Sequence, residues 1–220
     1  MPDPNNTSLI QFHHWTLRVR ESADTVPRLM LLVHGLTGDE NSMWVFTRNL
    51  PARYWLIAPR APFAAKPSGY SWRERFESSE FGRPTLEQLR GNAEALIRLV
   101  DEYSASAGIE ANTFDVIGFS QGAAMSNVLA FLHPRRIRKV GILAGFVPGG
   151  LEGLVSQRPL EGKPYFVAHG TKDETVPVER ARASIDILEQ AGAQVTYCED
   201  EVAHKVSVNC LRALHEFFRD

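Results

Sequence analysis

The pentapeptide GFSQG, at positions 118–122, contains a serine in surroundings that suit a catalytic nucleophile. It follows the apolar run FDVI and precedes QGAAMSNVLAFL, so Ser120 falls between a predicted buried strand and a predicted helix. A side chain raised at so sharp a turn is crowded, and glycines two positions to either side relieve the crowding. The amino end of the helix also favours negative charge beside the serine. The pattern predicts a nucleophile; the alternative is a helix N-cap, a position that serine often occupies.

A serine hydroxyl is a poor nucleophile unless a base removes its proton. The expected partners follow in the order acid, then histidine. Asp173 lies in HGTKDETVP and His204 in EVAHKVS, each just after a predicted strand and therefore at the same rim of a parallel sheet as Ser120. Singly, either residue is more simply a surface residue, and Glu174 is a rival for the acid. Together, their types, order and placement predict a catalytic triad.

Such chemistry also requires two N–H donors for the oxyanion. The residue after the nucleophile supplies one, which is Gln121, and the loop after an early strand supplies the other. That loop is VHGLTGDE, at 33–40, where glycines let the backbone face a ligand, and Leu36 is the candidate donor. His34 is predicted to be structural, because a triad needs one base and His204 is better placed.

Strand and helix patterns alternate along the whole chain. Near-continuous apolar runs or alternating residues predict strands at 15–20, 28–35, 54–62, 114–120, 138–146, 163–170 and 194–200. Residues spaced three and four apart predict helices that begin near Thr85 and cover 121–132, about 178–191 and about 207–218. This order predicts an α/β fold with a mostly parallel sheet covered on both faces, and one domain over residues 1–220.

Composition excludes several classes of protein. The 220 residues carry a net charge of −2 with mixed signs, which argues against a nucleic-acid partner. The first residues show no signal peptide, and no stretch suits a membrane span. Two cysteines, Cys198 and Cys210, are too few for a disulfide framework, so we expect inert thiols and a reducing, cytoplasmic location. Cysteine and histidine lack metal-ligand spacing, so no metal and no cofactor are expected.

Two stretches, 60–84 and 145–162, are long for loops in a compact domain and are expected at the carboxyl ends of strands, where ligands bind. They are rich in aromatic and apolar residues, including Phe76 and Phe81. Most of these residues are expected to cap the core, but some should line an apolar acyl pocket. The candidates are Phe63, Tyr70, Trp72 and Phe146 of these stretches, together with Trp44 of the loop HGLTGDENSMW and Val176 of HGTKDETVP. Without room for a large cap domain, the site should be open and accept esters of small or medium acyl chains.

The motifs LLVHGLTGDENSMW, LIAPRAPF, GYSW, VIGFSQGAAM, HGTKDETVP and AHKVS resemble those of the phospholipase/carboxylesterase family of α/β hydrolases, in the family's order from about residue 28 to 218. The resemblance implies Ser120 as nucleophile, Asp173 as acid and His204 as base, with the N–H groups of Leu36 and Gln121 for the oxyanion. It also implies a homodimer. The chain departs from the family at Ala203, where glycine usually precedes the catalytic histidine.

The expected activity is that of a serine carboxylesterase acting on small-molecule esters. The HGLTGDE form resembles the bacterial esterase branch, which makes protein depalmitoylation doubtful. Thioesterase or lysophospholipase activity at the same site, amide hydrolysis, and a non-catalytic ligand-binding protein on a hydrolase fold remain the alternatives.

Overall fold

The computed structural model describes residues 7–74 and 84–220. The predicted loop aromatics Phe76 and Phe81 lie outside the described residues.

The strands in the described part of the chain are β1 (Ser8–Phe12), β2 (Trp15–Arg20), β3 (Arg28–Val33), β4 (Tyr54–Pro59), β5 (Phe63–Ala64), β6 (Tyr70–Ser71), β7 (Phe114–Phe119), β8 (Ile137–Leu143), β9 (Pro164–Gly170) and β10 (Gln194–Asp200). Eight of them form the main sheet, in the order β1-β2-β4-β3-β7-β8-β9-β10. The other two, β5 and β6, form a small hairpin of their own.

The sheet is parallel from β4 to β10 and antiparallel only where β2 pairs with β1 and with β4. The carboxyl ends of six strands therefore meet at one edge. All seven strands expected from the sequence are present, with ends within a few residues. The sequence did not indicate β1 because its side chains are mostly exposed, so its five residues show no buried apolar face.

Five helices lie in the described part of the chain: α1 (Leu86–Ala107), α2 (Gln121–Leu132), the short α3 (Glu152–Val155), α4 (Val178–Gln190) and α5 (Val208–Phe217). Helix α1 begins with a capping box: the Thr85 hydroxyl accepts a hydrogen bond from the Gln88 N–H, and the Gln88 side chain accepts one from the Thr85 N–H. Gly108 ends α1 in the left-handed conformation. A single 3₁₀ turn, Trp44–Phe46, follows β3.

Two apolar layers cover the two faces of the sheet. The larger combines alternate strand residues such as Leu31 and Val116 with the buried faces of α1, α2 and α4. The smaller combines Leu32, Ile117 and their neighbours with Cys210, Leu214 and Phe218 at the carboxyl-terminal helix. Helix α2 is buried over nearly its whole circumference, which fixes its amino end, and hence Ser120, against β7. In the described residues, no helix is long and apolar enough to cross a membrane.

The cysteines contradict the sequence prediction. Cys198 of β10 and Cys210 of α5 form a disulfide bond, so the expectation of two free thiols was wrong. The pair is 12 residues apart in sequence, and only the packing of α5 against β10 brings the two Cα atoms within 5.6 Å. The reducing compartment was inferred from the low number of cysteines, and it stays a prediction.

Candidate active site

Ser120 lies at the sharp turn between β7 and α2. Its backbone adopts φ 53° and ψ −114°, a strained conformation for a residue with a side chain. A Cβ on Gly118 would lie 2.2 Å from the Gly122 carbonyl oxygen, and a Cβ on Gly122 would lie 2.0 Å from the Val33 carbonyl oxygen. Both glycines are therefore required by close backbone approach. The Ser120 hydroxyl makes no capping hydrogen bond to α2, which leaves it free for another partner.

That partner is His204, in the loop after β10. Its Nε2 lies 3.0 Å from the Ser120 Oγ, and its Nδ1 lies 2.6 Å from Oδ2 of Asp173. Because a carboxylate only accepts hydrogen bonds, Nδ1 carries the proton and donates to Asp173. Nε2 is then the acceptor that faces the serine hydroxyl. The imidazole is 24% exposed, so one edge of the site is open to solvent.

Asp173 follows β9, and its carboxylate is completely buried. Its Oδ1 accepts the N–H groups of Thr175 and Val176, at 2.9 and 2.8 Å, which fixes the orientation of the carboxylate. His169, also buried, donates from Nε2 to the Val176 carbonyl at 2.7 Å and lies 3.4 Å from Oδ2 of Asp173. The rival acid, Glu174, is exposed and has no such set of donors among the described residues.

The loop after β3 carries Leu36. In the described part of the chain, no backbone carbonyl accepts a hydrogen bond from the N–H of Leu36 or from the N–H of Gln121. The loop is fastened to the β5–β6 hairpin: Thr37 donates to the Tyr70 carbonyl at 3.0 Å, and Tyr70 donates to the Gly38 carbonyl at 2.9 Å. An oxyanion site requires two such N–H groups, and the described residues offer one beside Ser120 and one in a loop held by hydrogen bonds.

The His34 side chain stabilises this loop through hydrogen bonds to backbone groups. Its buried ring accepts the Ala61 N–H at Nε2 (3.0 Å) and donates from Nδ1 to the Gly35 carbonyl (2.7 Å). Burial lowers the pKa of His34, because the charged imidazolium would be poorly solvated there. Both ring nitrogens are used on backbone groups, so the ring has none left to act on a substrate.

An ion pair between a buried carboxylate and a partly exposed guanidinium fixes the other end of the loop. The guanidinium of Arg60 donates two hydrogen bonds to Glu40, at 2.7 and 2.9 Å. These hydrogen bonds hold the pKa of Glu40 below its usual value. The Glu40 carbonyl in turn accepts the indole N–H of Trp44 at 2.8 Å.

The side chain of Gln121 has a role that the sequence reasoning missed. Its amide oxygen accepts the Trp72 N–H at 2.9 Å, and its amide nitrogen donates to the Ser71 hydroxyl at 3.1 Å. The residue is only 7% exposed. Gln121 therefore ties the loop at 70–73 to the amino end of α2. A glutamine directly after the predicted nucleophile was the available signal, but the sequence did not show what its amide would meet.

The six residues predicted for an acyl pocket divide into two groups. Trp44, Phe63 and Tyr70 are partly exposed. Trp72, Phe146 and Val176 are buried in the larger apolar layer and form core rather than open surface in this structure. Trp72 uses its indole N–H on the His34 carbonyl, 2.8 Å away.

Two stacked aromatic rings that the prediction did not include lie at this site, one of them beside the histidine. Phe119, directly before the nucleophile, has its ring centroid 5.1 Å from that of His204. Phe46 of the 3₁₀ turn stacks on Phe119 at 5.7 Å. The exposed side chains of Leu36 and Val45 belong to the same loop region. Phe119 is the residue directly before the serine in the pattern G-x-S-x-G. Its place next to the predicted nucleophile was the signal that could have identified it as part of the site.

Within residues 7–74 and 84–220, no three histidine, cysteine, aspartate or glutamate side chains are grouped so that they could hold a metal ion.

A serine at a strand-to-helix turn of a mostly parallel sheet, with an acid and a histidine after later strands, defines a serine hydrolase of the α/β-hydrolase fold. The model of the phospholipase/carboxylesterase family matches residues 14–220. The chain belongs to that family and is a carboxylesterase-type serine hydrolase that acts on esters.

Relatives of known name agree with this assignment. The chain is 28% identical to acyl-protein thioesterase 1 of Debaryomyces hansenii, over 93% of this chain and 95% of that protein. It is 26% identical to carboxylesterase SOBER1 of Arabidopsis thaliana, over 75% of each. The crystal structure of the Bacillus cereus carboxylesterase has the same fold, with a TM-score of 0.82 at 21% identity over 94% of both chains.

Proposed function

We propose that Ser120, Asp173 and His204 are the catalytic triad of this esterase and that it cleaves small-molecule carboxylic esters of small to medium acyl chains. One observation carries the proposal: a single imidazole lies 2.6 Å from a buried carboxylate and 3.0 Å from the hydroxyl at the strained turn. Backbone strain costs free energy, and strained residues of this kind cluster at active sites.

Acylation begins when the Ser120 oxygen attacks the ester carbonyl carbon and its proton passes to Nε2 of His204. The Asp173 carboxylate keeps the proton on Nδ1 and stabilises the imidazolium that forms. The tetrahedral oxyanion accepts hydrogen bonds from the N–H groups of Leu36 and Gln121. Collapse of this intermediate expels the alcohol, which takes its proton from Nε2, and leaves an acyl ester on Ser120.

Deacylation repeats these steps with water as the nucleophile. Nε2 accepts a proton from the water as the water attacks the acyl carbonyl, and the same two N–H groups hold the second oxyanion. Ser120 leaves with the proton that His204 returns, and the carboxylic acid is released. Each step uses only groups of this chain and water, so the proposal requires no cofactor.

Support for an apolar acyl group comes from the surface beside His204. The stacked rings of Phe119 and Phe46 form an apolar area that adjoins His204. Apolar surface of this kind favours a hydrocarbon chain by roughly 0.8 kcal/mol for each buried methylene.

A series of p-nitrophenyl esters from acetate to decanoate tests the proposed preference for small to medium acyl chains. The value of kcat/KM should rise with chain length and then level off at a short or medium chain. A maximum at the longest chain would contradict the proposal.

The triad is tested with Ser120→Ala. Hydrolysis of p-nitrophenyl butyrate should fall at least about 10³-fold, and a fluorophosphonate should no longer label the protein. Ser106→Ala is the matched control, because Ser106 is an exposed serine on α1, and it should keep full activity and labelling. Full activity in Ser120→Ala would exclude Ser120 as the nucleophile. Failure of fluorophosphonate to label the native chain would favour a non-catalytic binding protein.

Thioester or lysophospholipid hydrolysis is the second candidate, since a similar relative is named acyl-protein thioesterase 1. The same oxyanion site and base would serve either leaving group. Matched octanoyl esters, thioesters and lysophosphatidylcholine, assayed with one preparation, separate the three. We expect the simple ester to have the highest kcat/KM.

A homodimer and a cytoplasmic location stay predictions from the sequence. Light scattering coupled to size exclusion measures the first. For the second, acid quenching of cells followed by maleimide labelling reports whether Cys198 and Cys210 are bonded where the protein resides. Free thiols in the cell would agree with a cytoplasmic location, and a bond would argue against it.

A further inference from the structure

The disulfide between Cys198 and Cys210 closes the segment that carries His204. Cys198 lies near the end of β10, Cys210 lies in the first turn of α5, and the loop at 201–207 connects them. The bond therefore fixes the distance between the strand that leads into the loop and the helix that leads out of it.

The loop has little packing of its own to define its shape. Residues Glu201, Ala203 and Lys205 are exposed, and the residues between them, His204 included, are only partly buried. Ser207, at the helix cap, is the first buried residue. Segments with few buried apolar contacts open at low free-energy cost, so restraints at the two ends decide how well such a loop is held.

Hydrogen bonds hold the first end. The Thr171 N–H donates to the Asp200 carbonyl at 2.9 Å, and the Lys172 N–H donates to the Val202 carbonyl at 3.0 Å. These bonds fasten the start of the loop to the segment that leads to Asp173, but they stop two residues before His204.

At the second end, α5 packs in the smaller apolar layer, and the ring of His215 donates a hydrogen bond to a carbonyl of the 3₁₀ turn at 2.9 Å. The Ser207 hydroxyl accepts the Cys210 N–H at 3.0 Å and caps the helix. The Asn209 side chain donates to Asp200 at 3.2 Å, but both groups are exposed. The covalent link between β10 and α5 adds to this packing a direct connection between the two elements that the loop joins.

We propose that Cys198 and Cys210 are positioning residues for catalysis: their bond holds His204 within reach of both Asp173 and Ser120. The proposal rests on the triad proposed above. With the bond cut, α5 is freer to shift relative to β10, and the imidazole spends less time with both hydrogen bonds made. Misplacement of a catalytic group by about 1 Å can cost roughly 100-fold in rate.

The bond can be cut without adding a thiol that would compete as an acyl acceptor. A water-soluble trialkylphosphine attacks one sulfur and breaks the S–S bond. Hydrolysis of the phosphonium–sulfur intermediate then gives two cysteine thiols and the phosphine oxide, whose oxygen comes from water. The two electrons come from the phosphine and the two protons from the same water.

The experiment measures kcat and KM for p-nitrophenyl butyrate at 20 °C for three preparations: the native chain, the native chain after phosphine reduction, and Cys198→Ala/Cys210→Ala. We expect reduction and the double variant each to lower kcat about tenfold or more, with KM changed less than twofold. Phosphine should not change the double variant further. Circular dichroism and the thermal midpoint, taken on each preparation, report whether the fold is intact.

A second arm tests whether the bond acts through the histidine. In His204→Ala, the residual rate with the activated ester should not fall further when the cysteines are replaced or reduced. An equal fall in that background, a kcat within twofold of the native value after the bond is cut, or loss of the helical circular dichroism signal on cutting would each overturn the positioning role. Full activity in His204→Ala itself would instead refute the proposed triad.

Discussion

At the scale of single residues, the site depends on one strained serine and the imidazole that reaches it. A positive φ at Ser120 points its hydroxyl away from the helix that it begins, so the usual capping bond is absent. The hydroxyl meets Nε2 of His204 instead. The proposed chemistry then depends on which nitrogen of His204 carries the proton, and Asp173 decides that.

Replacing Asp173 with asparagine tests this control of the tautomer. Oδ1 already accepts two backbone N–H groups, so the new amide would direct its NH₂ group towards His204. The amide would donate to Nδ1 and move the ring proton to Nε2, which could no longer accept from Ser120. We expect kcat for p-nitrophenyl butyrate to fall roughly 10³–10⁴-fold with the fold unchanged.

Glu174→Gln is the matched control, since it makes the same chemical change at the exposed neighbouring residue. Its kcat should stay within about twofold of the native value. If Glu174→Gln lost the activity and Asp173→Asn kept it, the acid of the triad would have been assigned to the wrong residue.

At the scale of elements, the turn from β7 into α2 requires the backbone of α2 to lie very close to the end of β3. Helix α2 passes so close to β3 that Gly122 has no room for a methyl group beside the Val33 carbonyl. The same helix is buried almost all round, so it cannot move away at low cost.

Gly122→Ala should therefore lower the free energy of unfolding by about 3 kcal/mol, the upper end of the usual cost of overpacking. It should also lower kcat, because the displaced helix carries both Ser120 and the N–H of Gln121. Urea denaturation and steady-state kinetics measure the two effects.

Gly91→Ala provides the control in a helix with open space. Among the described residues, nothing lies within 4 Å of a Cβ at Gly91, which is in the interior of α1. Alanine there should stabilise the protein by about 0.5–1 kcal/mol and leave kcat unchanged. Equal behaviour of the two variants would show that the close contact at Gly122 is not the reason for its glycine.

The loop after β3 depends on the pair of Arg60 and Glu40. Arg60→Ala would leave a buried carboxylate without its partner, and we expect a loss of about 2 kcal/mol at pH 7, at the low side for a buried pair because the Arg60 side chain is 32% exposed. The folded-state pKa of Glu40 is lowered by Arg60. The stabilisation is therefore present above the unfolded-state pKa, near 4.5, and is lost as pH falls through the folded-state value.

The difference in unfolding free energy between the native chain and Arg60→Ala should thus shrink between pH 6 and pH 3. Urea titrations at several pH values measure it. Arg158→Ala is the control, since Arg158 pairs with Glu161 at an exposed site, and its small effect should vary little with pH. A difference that stayed constant for Arg60→Ala would mean that the ion pair does not stabilise the loop.

At the scale of the whole molecule, the parallel sheet gathers segments that are distant in sequence. Ser120 follows β7, Asp173 follows β9, His204 follows β10 and Leu36 follows β3, and the carboxyl ends of these strands share one edge. The two apolar layers run across both halves of the sheet. We propose on this basis that residues 1–220 fold as a single domain.

A single domain should unfold in one transition. Tryptophan fluorescence and far-ultraviolet circular dichroism should give the same urea midpoint and the same slope, and esterase activity should be lost at or just below that midpoint. Two separated transitions would divide the chain into independent units and contradict the proposal.

The sequence by itself determined the parallel sheet, the family and the order of the three proposed catalytic residues. Buried strands read as apolar runs, and the glycines of GFSQG follow from crowding at the turn, so both are local properties of the chain. Contacts between residues that are far apart in the sequence are not local properties of the chain. The sequence did not show that Gln121 holds the loop at 70–73, that Trp72 is wholly buried, or that Phe46 stacks on Phe119.

The disulfide shows the difference most clearly. Two cysteines, one in a strand and one in a helix, are indistinguishable from buried thiols in a linear sequence. Only the packing of α5 against β10 places their Cα atoms 5.6 Å apart. Tertiary structure decided that contact, because the position of α5 relative to β10 depends on how the helix packs against the sheet in the smaller apolar layer.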